Sequence, residues 1–505
     1  MGRPAGRHRA HRARSVPRAI GLTLVSALFP GSGFIMGGRA KLGAFVMTLT
    51  FGLVGLAALV GLTRREQVLA LAVNPQDLLV MSGVLVFLAM CWIAIIISSH
   101  RLLRPATAST ASRAFGSAFV GLLCFAIATP MAVAAQSVMA QRDLVSSVFA
   151  SEGKSKSATR EKVNKKDPWA NTPRLNILLL GADDGVGREG TRTDTVMVAS
   201  IDTKTGNTAL ISLSRNWMRM PFPENSPLHD KYPDGFWDPS LGPNTEQPEF
   251  YLDAMYRNVP ARYPDILGPS DNLGADVLKL SVGEAFGLKI HYYMQVNLEG
   301  FRSIVDALGG IKVNVNYRVP IGGDYKDMSD PNDDVLPHDY IEPGPNQKMM
   351  GGRALWFARG RYGLSDGSRQ ERQRCTIQAI VNAADPANVV TKYQAIASAG
   401  KKLLRTDIPQ ELLPAFVQLG LKVKGAKVTS LDLDKRKNFP NGRNPNYEGM
   451  REIIAKATDP KKAGTSTPKP TTAPTSASTK RPATTPTPGE AQDLKDACAY
   501  HPDQK

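Results

Sequence analysis

Four apolar runs within the first 136 residues constrain the fold of this chain more than any other feature. They lie at residues 20–36, 43–62, 78–98 and 114–136. The last three are long enough, or nearly so, to cross a bilayer as helices. The first is short and is interrupted by Pro-Gly-Ser-Gly at 30–33, so it is either re-entrant or interfacial. No cleavable signal peptide is expected, because several apolar runs follow one another.

Positive charge predicts how these spans are oriented. Residues 1–19 carry six arginines and no acidic residue, and residues 99–113 carry three more arginines. Four spans would put residues 99–113 outside the membrane, whereas three spans put both basic segments inside, as the positive-inside tendency requires. We therefore predict a multi-pass cell-membrane protein with three spans, whose residues 137–505 are extracytoplasmic.

Composition divides the chain into five segments. They are a basic cytoplasmic N-terminus, a transmembrane region, a polar stalk, an α/β domain and a disordered Thr/Pro/Ala-rich tail, at residues 1–19, 20–136, 137–170, 171–457 and 458–505. Cys375 and Cys498 could form a disulfide only if this tail folds back.

The α/β domain is predicted from hydrophobic patterning. Strands are predicted at 176–180, 196–201, 209–212, 311–315 and 428–433, and helices at 298–308 and 370–384. Residues 221–272 are rich in Pro, Asp and Asn and are predicted to form a long loop.

Six arginines stand against two carboxylates within residues 353–374. The arginines are Arg353, Arg359, Arg361, Arg369, Arg372 and Arg374, and the acids are Asp366 and Glu371. So dense a guanidinium set is unfavourable unless an anion neutralises it, and its planar fork suits phosphate oxygens. A solvated basic face near lipid is the alternative. Alternation of Arg359 and Arg361 on an extended segment, and the i, i+4 spacing of Arg369 and Gln373 on a helix, favour a pocket.

Acidic residues at strand ends are candidate metal ligands. Asp183 follows the first predicted strand, and Asp194 opens the second. Active groups in open α/β sheets gather at strand ends, and carboxylates bind Mg²⁺ while phosphate oxygens complete its coordination. Ordinary turn residues are the alternative. Arg215 follows the third strand and could complete an anion clamp.

Other chemistries have little support. The sequence has no HExxH motif, CxxC pair or Walker loop, and Ser214 lacks the glycines of a nucleophile elbow. The net charge of +17 favours an anionic partner. No helix-turn-helix is visible, so no nucleic-acid partner is expected.

Residues 174–385 resemble the LytR-CpsA-Psr family of cell-wall glycopolymer ligases. The resemblance rests on an ordered set of segments: NILLLGADD, GTRTDTVMVASID, LISLSRN, VNLEGFRSIVDALGGIKV and GGRALWFARGR followed by DGSRQERQ. It implies a three-layer α/β/α domain outside the membrane, with a long apolar pocket for a polyprenyl chain near residues 301–308. It also implies transfer of a glycopolymer from a polyprenyl-pyrophosphate carrier to peptidoglycan, with Mg²⁺ or alternatively Mn²⁺.

The resemblance also implies roles for individual residues. Asp183 and Asp194 match the family's metal-binding aspartates, and either is a candidate base for the acceptor hydroxyl. Seven positions match residues of the family that contact the pyrophosphate: Arg192, Arg215, Arg359, Arg361, Arg369, Arg372 and Gln373. The first four of these are also candidate catalytic residues. Arg353 and Arg374 are expected at the surface.

Two departures from the family pattern affect rate and substrate choice more than reaction class. Ser214 and Asn216 replace the usual Pro and Asp around Arg215. The family's lysine before an Asn-Ala-Ala-Tyr-like stretch is absent, because Tyr251 precedes residues 252–256, and Lys231 is the candidate substitute. Two alternative functions follow: a pyrophosphatase for lipid-linked glycans, or a module that binds lipid-linked wall precursors without catalysis.

Overall fold

A computed structural model describes residues 15–151, 156–159, 164, 167–182, 193–242, 247–324, 335–384, 404–433, 445–459 and 491–501. The chain divides into two compact units, Met1–Val145 and Ser146–Lys505.

Three helices of the N-terminal part are long and apolar enough to cross a membrane. With the shorter helices between them, the order is α1 Val16–Leu28, α2 Ser32–Met36, α3 Ala40–Thr63, α4 Arg65–Leu71, α5 Pro75–Leu103 and α6 Thr110–Val148. The three membrane-length helices are α3, α5 and α6. Among the described residues, three helices could thus cross a membrane by length and composition, the same number as the predicted spans.

The short first run forms the helix pair α1–α2, with a turn at Gly31, whose φ is 101°. The face of α1 that packs on α5 is small and polar, with Thr23 and Ser26 fully buried, while Leu28 is 67% exposed. Ser26 donates a hydrogen bond to Ser99 of α5 at 2.9 Å. A polar face turned inward and an apolar face turned outward suit a helix surrounded by lipid.

The predicted stalk, residues 137–170, begins within a helix, because α6 continues to Val148. Residues 156–159 belong to the second unit and are bound to Asp276, which accepts hydrogen bonds from Ser157 Oγ at 2.7 Å and Thr159 Oγ1 at 2.6 Å. This short segment is called the strap below.

The second unit contains a mixed α/β sheet with helices. Its strands are β1 Arg174–Ala182, β2 Thr193–Asp202, β3 Thr208–Leu213, β4 Tyr292–Asn297, β5 Ile311–Val315, β6 Val319–Asp324, β7 Val335–Ile341, β8 Gly344–Met349, β9 Leu404–Thr406, β10 Val428–Asp432 and β11 Gln492–Asp493. Its helices are α7 Pro227–Lys231, α8 Leu252–Arg262, α9 Leu273–Phe286, α10 Leu298–Ala307, α11 Gly351–Arg359, α12 Asp366–Ala383, α13 Leu413–Gly425, α14 Tyr447–Thr458 and α15 Leu494–Ala497. All five predicted strands and both predicted helices are present, which confirms the α/β class.

Strand directions decide where the functional residues meet. The main sheet has the order β11-β10-β3-β2-β1-β4-β9. β1 is antiparallel to β2 and parallel to β4, and β2 is antiparallel to β3. The carboxyl ends of β1, β3 and β4 and the start of β2 therefore lie at one edge of the sheet.

The two largest apolar cores among the described residues of the second unit stabilise this arrangement. The larger joins the main sheet to α8, α9 and α14 through fully buried residues such as Leu178, Val198 and Ile211. The smaller joins β5–β8 and β6–β7 to α10, α11 and α12 around Val305 and Phe357. Since α12 belongs to the smaller core, that core holds the arginine-bearing helix in place.

The prediction of a long loop at residues 221–272 was wrong. This stretch contains α7, a 3₁₀ turn at Pro248–Phe250 and α8. Pro227 stands in the first turn of α7, where a missing N–H costs nothing, and Ser226 caps the helix by accepting from Leu228 N at 3.3 Å. Proline therefore begins a helix in a stretch that was predicted from its composition to be a loop.

The predicted disordered tail, residues 458–505, is structured near its end. β11 pairs with β10, Leu494 is fully buried against the main sheet, and Cys498 forms a disulfide with Cys375 of α12. The prediction of disorder was therefore wrong for residues 491–501. The tail folds back here, which is the condition under which Cys375 and Cys498 could form a disulfide. Residues 460–490 lie outside the described parts of the chain.

Candidate anion-binding site

The sheet edge brings Arg215 and Asp194 together. Val196 of β2 pairs with Leu213 of β3, so the residues just before and just after this pair are neighbours in space. Arg215 Nη1 forms an ion pair with Asp194 Oδ1, and the two side chains are 20% and 28% exposed. Both residues were predicted for the site from sequence.

Arg369 approaches the same pair from helix α12. The helix starts four residues earlier than predicted, at Asp366, because Ser365 caps it by accepting from Ser368 N at 3.2 Å. Arg369 Nη2 lies 2.6 Å from Asp366 Oδ1, and the arginine side chain is only 5% exposed.

Neighbouring charges act on Arg369 together. Burial lowers the pKa of the Arg369 guanidinium, Asp366 and Asp194 raise it, and Arg215 and Arg361 lower it. Arginine nevertheless remains protonated in proteins. Arg215, Asp194 and Arg361 therefore all act electrostatically on Arg369.

Two guanidinium donors in this cluster are buried without an acceptor. Among the described residues, neither Arg215 Nε nor Arg369 Nε has a hydrogen-bond partner. A buried donor left unsatisfied costs about 1–3 kcal/mol. An anion with several oxygens would remove this cost, because each oxygen can accept from one of these N–H groups.

Arg359 and Arg361 do not lie on an extended segment, so that interpretation was wrong. Arg359 is the last residue of α11, and its guanidinium lies 5.1 Å from the ring centroid of Trp356. Gly360 ends the helix, and Arg361 follows in the exposed loop towards α12. The change of direction at Gly360 sets where each of the two arginines points.

Arg372 has a different environment from its neighbour Arg369. It is buried, and its guanidinium donates to Phe357 O and Tyr317 Oη at 2.7 Å each and to Gly360 O. These bonds fix the end of α11 against α12. The structure therefore gives Arg372 several protein partners around the loop that carries Arg361.

Two other arginines of the cluster differ from each other. Arg374 is 3% exposed and donates to Ser212 Oγ at 3.1 Å, so the expectation that it lies at the surface was wrong. It joins α12 to the end of β3. Arg353 is exposed, as expected.

The remaining predicted residues are placed as follows. Gln373 is half-buried one turn beyond Arg369 on α12, while Asp183 and Arg192 fall outside the described residues. Lys231 lies on α7 with Nζ 5.7 Å from the ring centroid of Tyr263, a contact that does not link it to Arg215. Residues 301–308 lie on and just after α10, with Val305 fully buried in the smaller core.

The donor chemistry of this edge suits a hard cation in part. Asp194 offers a partly exposed carboxylate of the kind that Mg²⁺ prefers. No group of three or more His, Cys, Asp or Glu residues is close enough to hold a metal within the described parts of the chain. Asp183, the other predicted ligand, lies outside the described residues.

Sequence reasoning missed Asp253, the second residue of α8. Its side chain is 4% exposed, and Oδ2 lies 4.0 Å from Arg215 Nη1. The sequence feature that could have identified it is the aspartate within the Asn-Ala-Ala-Tyr-like stretch at residues 252–256.

The second unit is an α/β domain with arginines and carboxylates at one sheet edge, and membrane-length helices precede it in the chain. Residues 144–462 match the LytR_cpsA_psr family model. The chain therefore belongs to this family, and the resemblance predicted from its motifs is confirmed.

Individual relatives are more distant. The chain is 28% identical over 273 residues to the polyisoprenyl-teichoic acid–peptidoglycan teichoic acid transferase TagU of Oceanobacillus iheyensis, over 53% of this chain and 69% of that protein. It is 27% identical over 249 residues to biofilm regulatory protein A of Streptococcus mutans, over 48% and 52% of the two chains. Similar solved structures include B. subtilis TagV, with 19% identity, 57% and 97% coverage and a TM-score of 0.38, and TagT bound to LIIa-WTA, with 17% identity, 61% and 96% coverage and a TM-score of 0.37.

Proposed function

We propose that this protein is a membrane-anchored phosphotransferase that moves a glycopolymer from a polyprenyl-pyrophosphate carrier onto peptidoglycan. Family membership and the transferase name of the Oceanobacillus relative support the reaction class. The observation that carries the proposal is the pair of buried Nε donors of Arg215 and Arg369, which need acceptor oxygens from a ligand. A pyrophosphate supplies several such oxygens at once.

The reaction exchanges one phosphorus–oxygen bond for another. The acceptor hydroxyl of peptidoglycan attacks the phosphorus next to the glycan, and its proton passes to the carboxylate of Asp183 or Asp194. The bond from that phosphorus to the bridging oxygen breaks, and polyprenyl phosphate leaves with the electron pair. Phosphoryl transfer needs alignment and charge neutralisation more than covalent help from the protein.

Each group of residues has a separate task in this reaction. Arg215, Arg361 and Arg369 hold non-bridging oxygens and stabilise the leaving phosphate, and Arg192, Arg359 and Gln373 are proposed to assist them. Arg372 holds the loop of Arg361 in place through its bonds to the end of α11. Mg²⁺, or Mn²⁺, held by Asp183 and Asp194 would neutralise charge on the two phosphates.

The proposal requires the catalytic domain to lie outside the cytoplasm. Residues 15–42 and 99–113 contain arginines and a lysine but no acidic residue. If helices α3, α5 and α6 each cross the membrane once, both basic segments lie on the same side. The domain after α6 is then on the opposite side, with the peptidoglycan.

The test uses the full-length protein in detergent, a polyprenyl-pyrophosphate-linked oligosaccharide, peptidoglycan and Mg²⁺. We expect glycan to become covalently attached to peptidoglycan. The variant Arg369→Gln should lose at least about a hundredfold in rate, because a well-placed electrostatic contact is typically worth 2.7–4 kcal/mol. Arg353→Gln is the matched control, since Arg353 is exposed and belongs to the same sequence cluster.

The other outcomes identify the alternatives. Hydrolysis that releases glycan phosphate without attaching it to peptidoglycan would show that the protein is a pyrophosphatase and not a transferase. Tight binding without any turnover would leave a module that binds lipid-linked precursors. Equal loss in Arg369→Gln and Arg353→Gln would show that general positive charge, and not this site, is responsible.

A further inference from the structure

Arg215 lies between two carboxylates of different accessibility. Its Nη1 pairs with Asp194, whose side chain is 28% exposed, and lies 4.0 Å from Oδ2 of Asp253, whose side chain is 4% exposed. Arg215 Nη1 therefore has two carboxylate neighbours. A ligand can reach Asp194 but cannot reach Asp253.

Main-chain hydrogen bonds fix Asp253 beside Arg215. Asp253 N donates to Arg215 O at 3.1 Å, and Leu252 N donates to Trp217 O at 2.9 Å. Leu252 and Trp217 are themselves buried in the larger core. Because the start of α8 is joined to the segment after β3 in this way, Asp253 stays in place whatever binds to Asp194.

The residue next to Arg215 in the chain, Asn216, is exposed and uncharged. The carboxylate of Asp253 is buried instead. A negative charge is thus absent from the exposed position next to Arg215 and present at a buried one.

We propose that Asp253 is a positioning residue, which keeps the Arg215 guanidinium aligned on a pyrophosphate while Asp194 is engaged by the accompanying cation. The inference rests on the proposed function, since it needs anion and cation in the site together. A carboxylate that binds a metal ion gives up much of its attraction for a neighbouring guanidinium. Asp253 then remains as counter-charge, and the Nε–H of Arg215 stays available for a phosphate oxygen.

The test compares binding with and without the cation. Full-length protein in detergent is titrated calorimetrically with farnesyl pyrophosphate, once with excess Mg²⁺ and once with EDTA. In Mg²⁺ the isosteric variant Asp253→Asn should bind about tenfold to a hundredfold more weakly than wild type. In EDTA the loss should be clearly smaller, because Asp194 still holds Arg215.

A second buried aspartate provides the matched control. Asp276 is 1% exposed and accepts hydrogen bonds from Ser157, Ala158 N, Thr159 and Ser270, so Asp276→Asn removes a buried charge without touching Arg215. Its effect on binding should be the same in Mg²⁺ and in EDTA.

Each result decides between roles. An equal loss for Asp253→Asn in Mg²⁺ and EDTA would make Asp253 a merely structural residue and overturn the inference, as would no loss in either condition. If wild-type protein does not bind farnesyl pyrophosphate under either condition, the proposed function fails first, and the inference with it. Because the two conditions use one preparation of each variant, partial unfolding cannot imitate the expected difference.

Discussion

Replacing Lys279 with methionine should destabilise the domain by about 3–5 kcal/mol, the usual cost of removing one partner of a buried ion pair. Lys279 Nζ lies 2.6 Å from Asp407 Oδ2, and both side chains are 1% exposed. Nζ also donates to His291 O at 3.0 Å and to Thr159 O of the strap at 3.3 Å. Methionine keeps most of the volume but leaves the Asp407 carboxylate buried without its counter-charge.

The magnitude depends on what Asp407 retains in this variant. Its Oδ1 still accepts from Tyr293 N at 2.8 Å, and Ser157 Oγ lies 3.4 Å from its Oδ2. Two neutral donors do not compensate a buried negative charge. The double variant Lys279→Met/Asp407→Leu removes both charges and should cost less than about 2 kcal/mol, which gives a clear coupling energy in the double-mutant cycle.

Thermal unfolding of the full-length protein in detergent measures these differences. A loss of 3–5 kcal/mol corresponds to a fall in Tm of roughly 6–20 °C for a domain of this size. A loss below about 1 kcal/mol for Lys279→Met, or additive effects in the double variant, would refute the assigned role of the pair.

The pH dependence gives a second check. Burial raises the pKa of Asp407, and Lys279 lowers it, so the variant should have a still higher folded-state pKa. A carboxyl group with a raised folded-state pKa contributes stability that is present below its unfolded pKa and is lost as pH rises through the folded value. The penalty of Lys279→Met should therefore be smaller at pH 5 than at pH 8, and equal penalties would contradict this reasoning.

Three further predictions concern the site and the tail. Asp194→Ala should reduce glycan transfer by at least about a hundredfold with little change in Tm, and a wild-type transfer rate would remove Asp194 from the mechanism. Arg369→Lys keeps the charge but loses the buried Nε donor, so calorimetry should show about tenfold weaker binding of farnesyl pyrophosphate, whereas an unchanged Kd would mean that charge alone suffices. Serine at both Cys375 and Cys498 opens a link across 123 residues. It should cost about 4–5 kcal/mol in a denaturant titration, and an unchanged midpoint would show that the link adds no stability.

Much of the fold was predictable because its elements have strong local patterns. Strands such as Arg174–Ala182 and Thr208–Leu213 consist largely of buried apolar residues, and the membrane-length helices are apolar throughout. Asp194, Arg215 and Arg369 could be chosen from the sequence as candidate site residues, because each stands within a family motif. The structure brings these three together.

What could not be predicted depends on contacts between distant segments. The role of Arg372 follows from the carbonyl groups of Phe357 and Gly360 at the end of another helix. Asp253 comes near Arg215 only because main-chain bonds join α8 to the end of β3. Neither arrangement leaves a periodic signal in the sequence.

The Cys375–Cys498 link also bears on the compartment in which the domain folds. Cystines persist in oxidising environments and are rare in the cytosol, where thiols are kept reduced. The Cys375–Cys498 link joins two residues of the second unit. An oxidising compartment favours its formation, and the placement proposed for this domain, on the outer side of the membrane, would supply one.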